Sequence, residues 1–175
     1  RFTQLLQQIY DRHAPTLLTM AKGVYELVKE LSKEAAPDSV DLSEYAEIHQ
    51  GLDDFYMSRI GLRMLIGQHI ELHRQMEKKE LNSNYIGLIN KVTSVASVAR
   101  DSIEDAKYMV MKSHSRCPYT QLYGKVNVTF PYVPSHLYYM LFELLKNSMR
   151  AVVEYHANKK ELPEIRVIVA ASDET

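Results

Sequence analysis

Residues 131–151 read PYVPSHLYYMLFELLKNSMRA, and the fold turns on how this stretch is taken. Pro131 and Pro134 interrupt regular structure, and Ser135 is placed to cap a helix from His136 to about Ala157. Before it, Leu122–Phe130 alternates, with Val126, Val128 and Phe130 on one face, which predicts a strand. After it, Ile165–Ala170 is a β-rich run. Strand, helix, strand is the start of an α/β domain. The helix carries two stripes. Leu137, Leu141, Leu144, Ser148 and Val152 are apolar or small, whereas Glu143, Asn147, Arg150 and Glu154 recur at steps of four, three and four.

Upstream, the pattern is helical. Val95, Val98, Ala99, Ile103, Ala106 and Val110 predict a helix from about Ser94 to Lys112, preceded by a polar loop over Gln75–Asn90. From Leu42 to Gln75, Tyr45, Ile48, Leu52, Phe55, Leu62 and Ile66 fall on alternating three- and four-residue steps, the spacing of one buried helix stripe. Such a helix is a rod of roughly 50 Å and needs neighbours. Residues 1–34 predict helix broken near Pro15, with Asp11 and Thr16 as caps around the break, and Glu34–Ser43 predicts a loop. Four helical segments with short links predict an antiparallel bundle. The boundary is expected near Ser113–Gln121, giving a helical bundle over residues 1–115 and an incomplete α/β domain over 116–175.

Composition narrows the function classes. The six glycines stand at 23, 51, 61, 67, 87 and 124, and Gly67 is followed by Gln68, so neither a Walker loop nor a dinucleotide fingerprint is present. A formal net charge of −1 gives no footprint for non-specific nucleic-acid binding. The single cysteine, Cys117, has no partner for an internal disulfide, which fits a reducing compartment. No apolar run approaches the roughly 20 residues that span a bilayer. The chain opens on Arg1 without a basic-then-apolar leader.

Three groups of residues invite chemistry. Continuing the long helical stripe places Arg59, His69 and His73 on its seam, where Arg59 needs a carboxylate partner or a wet site. His69 reads either as a phosphoacceptor or proton relay, or as a hydrogen-bonded core histidine, or as part of a stripe that drifts to the surface by one helical position; a metal at His69 and His73 lacks a third ligand. In the helix after Ser135, an amide and an acid one turn apart suit a hydrated Mg²⁺ and a proton acceptor beside it. A solvated helix face is the other reading of the same spacing. Tyr132, Tyr138 and Tyr139 beside Pro131 and Pro134 read as corner packing or as a stacking surface.

The stretch Glu143-Leu-Leu-Lys146-Asn147-Ser-Met-Arg150-Ala151 resembles the N-box of the Bergerat-type ATPase superfamily (GHKL) shared by gyrase and histidine kinases. In its fuller form, residues 131–151 are similar to the mitochondrial kinases of α-ketoacid dehydrogenase complexes. FYMSRIGLRMLIGQH at 55–69 and RHAPTLLTMAKGV at 12–24 resemble the helical domain of the same family, in details closer to the pyruvate type than to the branched-chain type.

The resemblance implies a mostly α protein: a four-helix bundle followed by the start of a Bergerat-type ATP domain. It implies an ATP- and Mg²⁺-dependent serine kinase of the mitochondrial matrix that inactivates the E1 component of the pyruvate dehydrogenase complex. A lipoyl domain of E2 as docking partner and a homodimer of the complete protein are implied with it. By residue, Glu143 matches the general base and Asn147 the Mg²⁺ ligand, while Lys146, Arg150 and Glu154 sit at positions near nucleotide. Many pyruvate-type members carry His one turn before the base, where this chain has Tyr139, as branched-chain relatives tolerate; His69 matches a histidine of the helical domain, but these enzymes transfer to serine. The family's glycine boxes are expected beyond Thr175, so the 175 residues alone are expected to be inactive. The alternatives are a branched-chain α-ketoacid dehydrogenase kinase, a non-catalytic helical binding module, and a histidine phosphotransfer bundle using His69.

Overall fold

Pro15 has no N–H to give a helical ladder, and the first helical stretch divides there. In the computed structural model, which describes residues 1–34, 45–79 and 84–172, α1 spans Phe2–Arg12 and α2 spans Thr16–Glu34. Thr16 works at the break as expected, its hydroxyl donating to the His13 carbonyl at 2.8 Å. Asp11 does not cap; its carboxylate accepts from Gln7 Nε2 one turn earlier within α1. The loop expected over Glu34–Ser43 lies, from residue 35 on, outside the described residues.

The long helix α3, Ala46–Lys78, is 33 residues, about 50 Å at 1.5 Å per residue. The seam read from the sequence holds only in part: Ile48, Leu52, Arg59 and Ile66 are half-buried on it, whereas Leu62 is 60% exposed. The hydrogen bonds of α3 to the end of α1 come from Arg59 on that seam and from Arg63 one turn on.

Contacts divide the chain between Leu81 and Asn82 into two compact units. The first holds α1, α2 and α3. The second opens with a hairpin where a polar loop was expected: β1, Tyr85–Ile86, pairs antiparallel with β2, Ile89–Ser94, around Gly87 at φ +60°. Ser94 then caps α4, Val95–His114, accepting from Ser97 N at 3.3 Å. The predicted strand over 122–130 is two strands in different sheets. Strand β3, Thr120–Gly124, runs parallel to β5, Ile165–Val169, whereas β4, Thr129–Tyr132, pairs antiparallel with β2. Gly124 makes the break: at φ +93° its backbone suits only glycine, and a Cβ there runs into the Val169 carbonyl.

Helix α5, Pro134–Tyr155, begins on Pro134 with Val133 before it, so Ser135 stands inside the first turn rather than at the cap. Its buried face is Leu145, Met149 and Val153, with Leu141 and Phe142 partly buried. The apolar stripe expected through Leu144 and Ser148 is therefore one position out of register; Leu144 is 65% exposed. Against this face α4 sets Ala99, Ser102, Ile103, Ala106 and Val110. Three small residues on that face let the two helices approach closely, and Ser102 Oγ reaches the Tyr138 carbonyl at 3.3 Å. This packing places α4 in the second unit. The boundary falls at 81/82 rather than near 115, and the first unit holds three described helices of the four expected for a bundle. The chain is thus mostly α, a helical N-terminal unit followed by the start of an α/β unit. Among the described residues no helix is long and apolar enough to cross a membrane.

Candidate functional site

The polar stripe of α5 is held in place by the burial of Leu145, Met149 and Val153 on the same helix. Glu143 and Lys146 form one pair, with Nζ to Oε2 at 2.6 Å and both side chains about two-thirds covered. Arg150 and Glu154 form a second, Nε to Oε1 at 2.7 Å, on the exposed end of the helix. Between them the Asn147 side chain is exposed and makes no hydrogen bond among the described residues. An acid and a free amide oxygen therefore stand one turn apart, facing water.

The electrostatics of the two pairs differ. The hydrogen bond from Arg150 holds the Glu154 carboxyl below the usual carboxylate range, with His114 Nε2 adding a second positive neighbour at 3.6 Å when protonated. The same bond raises the Arg150 guanidinium. Beside Glu143, the Lys146 ammonium lies 5.2 Å from the centroid of the Phe142 ring. Phe142 in turn stacks on Tyr138, centroids 5.9 Å apart and planes 12° from parallel. Tyr138 donates to Asp105 Oδ2 of α4 at 2.6 Å, and this bond raises its phenol above the ordinary range. Tyr139, one turn before Glu143, is 58% exposed and makes no bond to it.

The remaining sequence candidates lie in the helical unit. Of the carboxylate or wet site expected for Arg59, no carboxylate pairs with it among the described residues; its Nη2 donates to His13 O at 2.8 Å in an exposed hydrogen bond. His69 is exposed, which rules out only the core reading; its Nε2 is 3.3 Å from Thr3 Oγ1 and the Phe2 ring meets it edge-on at 5.5 Å. His73 faces Glu77 at 3.5 Å, and its ring centroid is 6.4 Å from that of His69. Among the described residues no group of three or more His, Cys, Asp or Glu side chains is arranged to hold a metal. Of the tyrosines near the corner, Tyr138 bonds across to α4 and Tyr132 packs at 5.5 Å from Phe130. Asp105, Phe142 and His114 escaped the sequence reading. Pairing α4 with α5 would have exposed them, because all three lie on the facing sides of those helices.

These features define a class: a helical unit leading into an α/β unit whose second helix carries an acid and an amide one turn apart. Residues 1–90 match the family described as mitochondrial branched-chain alpha-ketoacid dehydrogenase kinase, more than half of the chain, and the chain belongs to that family. It is 41% identical over 170 residues to the mitochondrial pyruvate dehydrogenase (acetyl-transferring) kinase of Arabidopsis thaliana, covering 97% of this chain and 43% of the relative. It is 36% identical over 183 residues to the kinase so named from Drosophila melanogaster, covering 99% and 43%. With isozyme 1 of the human kinase it shares 36% over 181 residues, 99% of this chain and 40% of the relative. The chain thus spans less than half the length of these relatives.

Proposed function

We propose that this chain belongs to an ATP-dependent protein serine kinase that phosphorylates the E1 component of the pyruvate dehydrogenase complex in the mitochondrial matrix. The observation that carries the reading is the exposed turn of α5, with the Glu143 carboxylate and the unpaired Asn147 amide side by side. The names of the relatives, which are mitochondrial pyruvate dehydrogenase kinases, support the substrate class and the organelle. Docking on a lipoyl domain of E2 and a homodimer of the whole protein belong to the same proposal. The family description matched by residues 1–90, together with Tyr139 in place of His, favours a branched-chain α-ketoacid dehydrogenase as the second reading of the substrate.

The residues fit these roles by their chemistry. A free carboxamide oxygen is a hard donor of the kind Mg²⁺ prefers, so Asn147 would hold the ion. When bound, Mg²⁺ supplies positive charge to the transferring phosphates. Glu143 accepts the proton of the serine hydroxyl as its oxygen attacks the γ-phosphorus, and ADP leaves. Lys146, Arg150 and Glu154 line the nucleotide side of the helix. Replacing Glu143 with Gln keeps the shape and removes the base. Phosphate transfer is then expected to fall by about 10²–10⁴ with ATP binding retained. Wild-type turnover in Glu143→Gln would sink the assignment.

A further inference from the structure

Tyr138, Phe142 and Lys146 follow one another at four-residue intervals along α5 and form a continuous ladder. Asp105 of α4 holds the Tyr138 hydroxyl at 2.6 Å, Tyr138 stacks on Phe142, and the Phe142 ring lies under the Lys146 ammonium at 5.2 Å. At its far end that ammonium meets Glu143 Oε2 at 2.6 Å. We propose that Lys146, propped by the Tyr138–Phe142 ladder, is the positioning residue of Glu143. The inference rests on the reading of Glu143 as the proton acceptor, and goes beyond it by naming what aims that acceptor.

A surface Lys–Glu pair ordinarily contributes little, because ordering two long side chains offsets their attraction. Here the lysine stem is already restricted. The ammonium sits inside the roughly 6 Å range of cation–π attraction to Phe142, and Phe142 is itself fixed by stacking and by the α4–α5 core. The pair engages one carboxylate oxygen, Oε2. Oε1 has no partner among the described residues and is left to receive the proton. In the step, the serine O–H bond breaks and its proton goes to Oε1. The serine oxygen bonds to the γ-phosphorus, and ADP departs with the electrons of the broken P–O bond. Tyr139 stands one turn before Glu143 without bonding to it, so the aiming group lies after the base in the chain.

The test is steady-state phosphorylation by the full-length protein of its E1 substrate, with the ATP Kd measured separately. A base displaced by about 1 Å loses about 10²-fold, so Lys146→Met is expected to lower kcat at saturating ATP about 10- to 100-fold, a loss separate from any weakening of ATP binding on the nucleotide side of the helix. Lys146→Arg, which keeps a cation over Phe142, is expected to recover most of kcat. Phe142→Leu, which keeps apolar bulk and removes the ring, falls between wild type and Lys146→Met, and serves as the second probe should the methionine variant fold poorly. Wild-type kcat in Lys146→Met, or a loss confined to ATP affinity, overturns the inference. The Glu143→Gln variant separates the two ideas. If it is active, the base assignment itself fails; if it is inactive while Lys146→Met turns over normally, only the positioning role fails.

Discussion

Replacing Met149 with Ala removes three heavy atoms from the centre of the α4–α5 interface. Met149 has no exposed surface, and it packs among Ile103, Ala106, Val110, Leu145 and Val153 with Cys117 Sγ 3.7 Å from its sulfur. At about 0.8 kcal/mol per buried methylene equivalent, transfer alone accounts for roughly 2.4 kcal/mol. The cavity adds to this, and large-to-small core changes of this kind cost about 2–5 kcal/mol in all. Leu144, one position before the buried Leu145 on the same helix, is 65% exposed, and Leu144→Ala is expected to stay within about 0.5 kcal/mol of wild type. Urea unfolding followed by far-ultraviolet circular dichroism measures the difference. With a slope of about 1–3 kcal/mol per molar urea, a loss of about 3 kcal/mol moves the midpoint of the transition by roughly 1–3 M. The pair tests helix register directly, since the sequence stripe puts Leu144 inside and the structure puts Met149 there. A larger loss for Leu144→Ala than for Met149→Ala refutes the packing described above.

Two further outcomes follow from local geometry. Gly124→Ala forces a Cβ into the Val169 carbonyl at a positive φ, so β3–β5 pairing should weaken by more than about 1 kcal/mol, read as a lower melting temperature. Gly51→Ala has open space around the new methyl in mid-α3 and should instead stabilise by about 0.5–1 kcal/mol; stabilisation by both alanines would contradict the Gly124 conformation. Glu154 titrates below its ordinary range because Arg150 donates to it. A depressed carboxylate stabilises the fold above its unfolded pKa and loses that contribution as pH falls through the folded value. NMR titration should therefore show Glu154 moving up toward the ordinary carboxylate range in Arg150→Gln, and an unmoved titration rules out the pair as its cause.

Much of the fold was legible because helix periodicity and breakers are local. Pro15, Ser94 and the apolar positions of α4 placed helix ends within a few residues. What failed depended on partners distant in the chain. The strand over 122–130 looked continuous because alternation does not report Gly124 turning left-handed, nor that β3 and β4 pair with different strands. The assignment of α4 to the bundle failed for the same reason: its small-residue face is equally readable as any helix seam until α5 is set against it. At the site, the polar stripe was visible at helical spacing. That Lys146 rather than Tyr139 meets Glu143 was not, because rotamer choice there depends on Phe142 and on Tyr138 being tied to Asp105.

The fastening of α1 to α3 bears on how α1 can change. Arg59 and Arg63 donate to the carbonyls of His13, just past α1, and of Tyr10 in its last turn, at 2.8 and 3.0 Å; a helix end leaves oxygens such as that of Tyr10 without helical partners, and the His13 oxygen also accepts from Thr16. The Tyr10 ring, 3.7 Å beneath the Arg63 guanidinium, adds a side-chain contact at the same end. The grip is thus on main-chain atoms that every residue supplies, close to the negative end of the helix dipole. At the far end of α1 the clasp is loose enough to read as two light touches on His69, from Thr3 and Phe2. Substitutions at the exposed positions of α1 accordingly leave that main-chain seat in place, and altering it falls largely on two arginines of another helix.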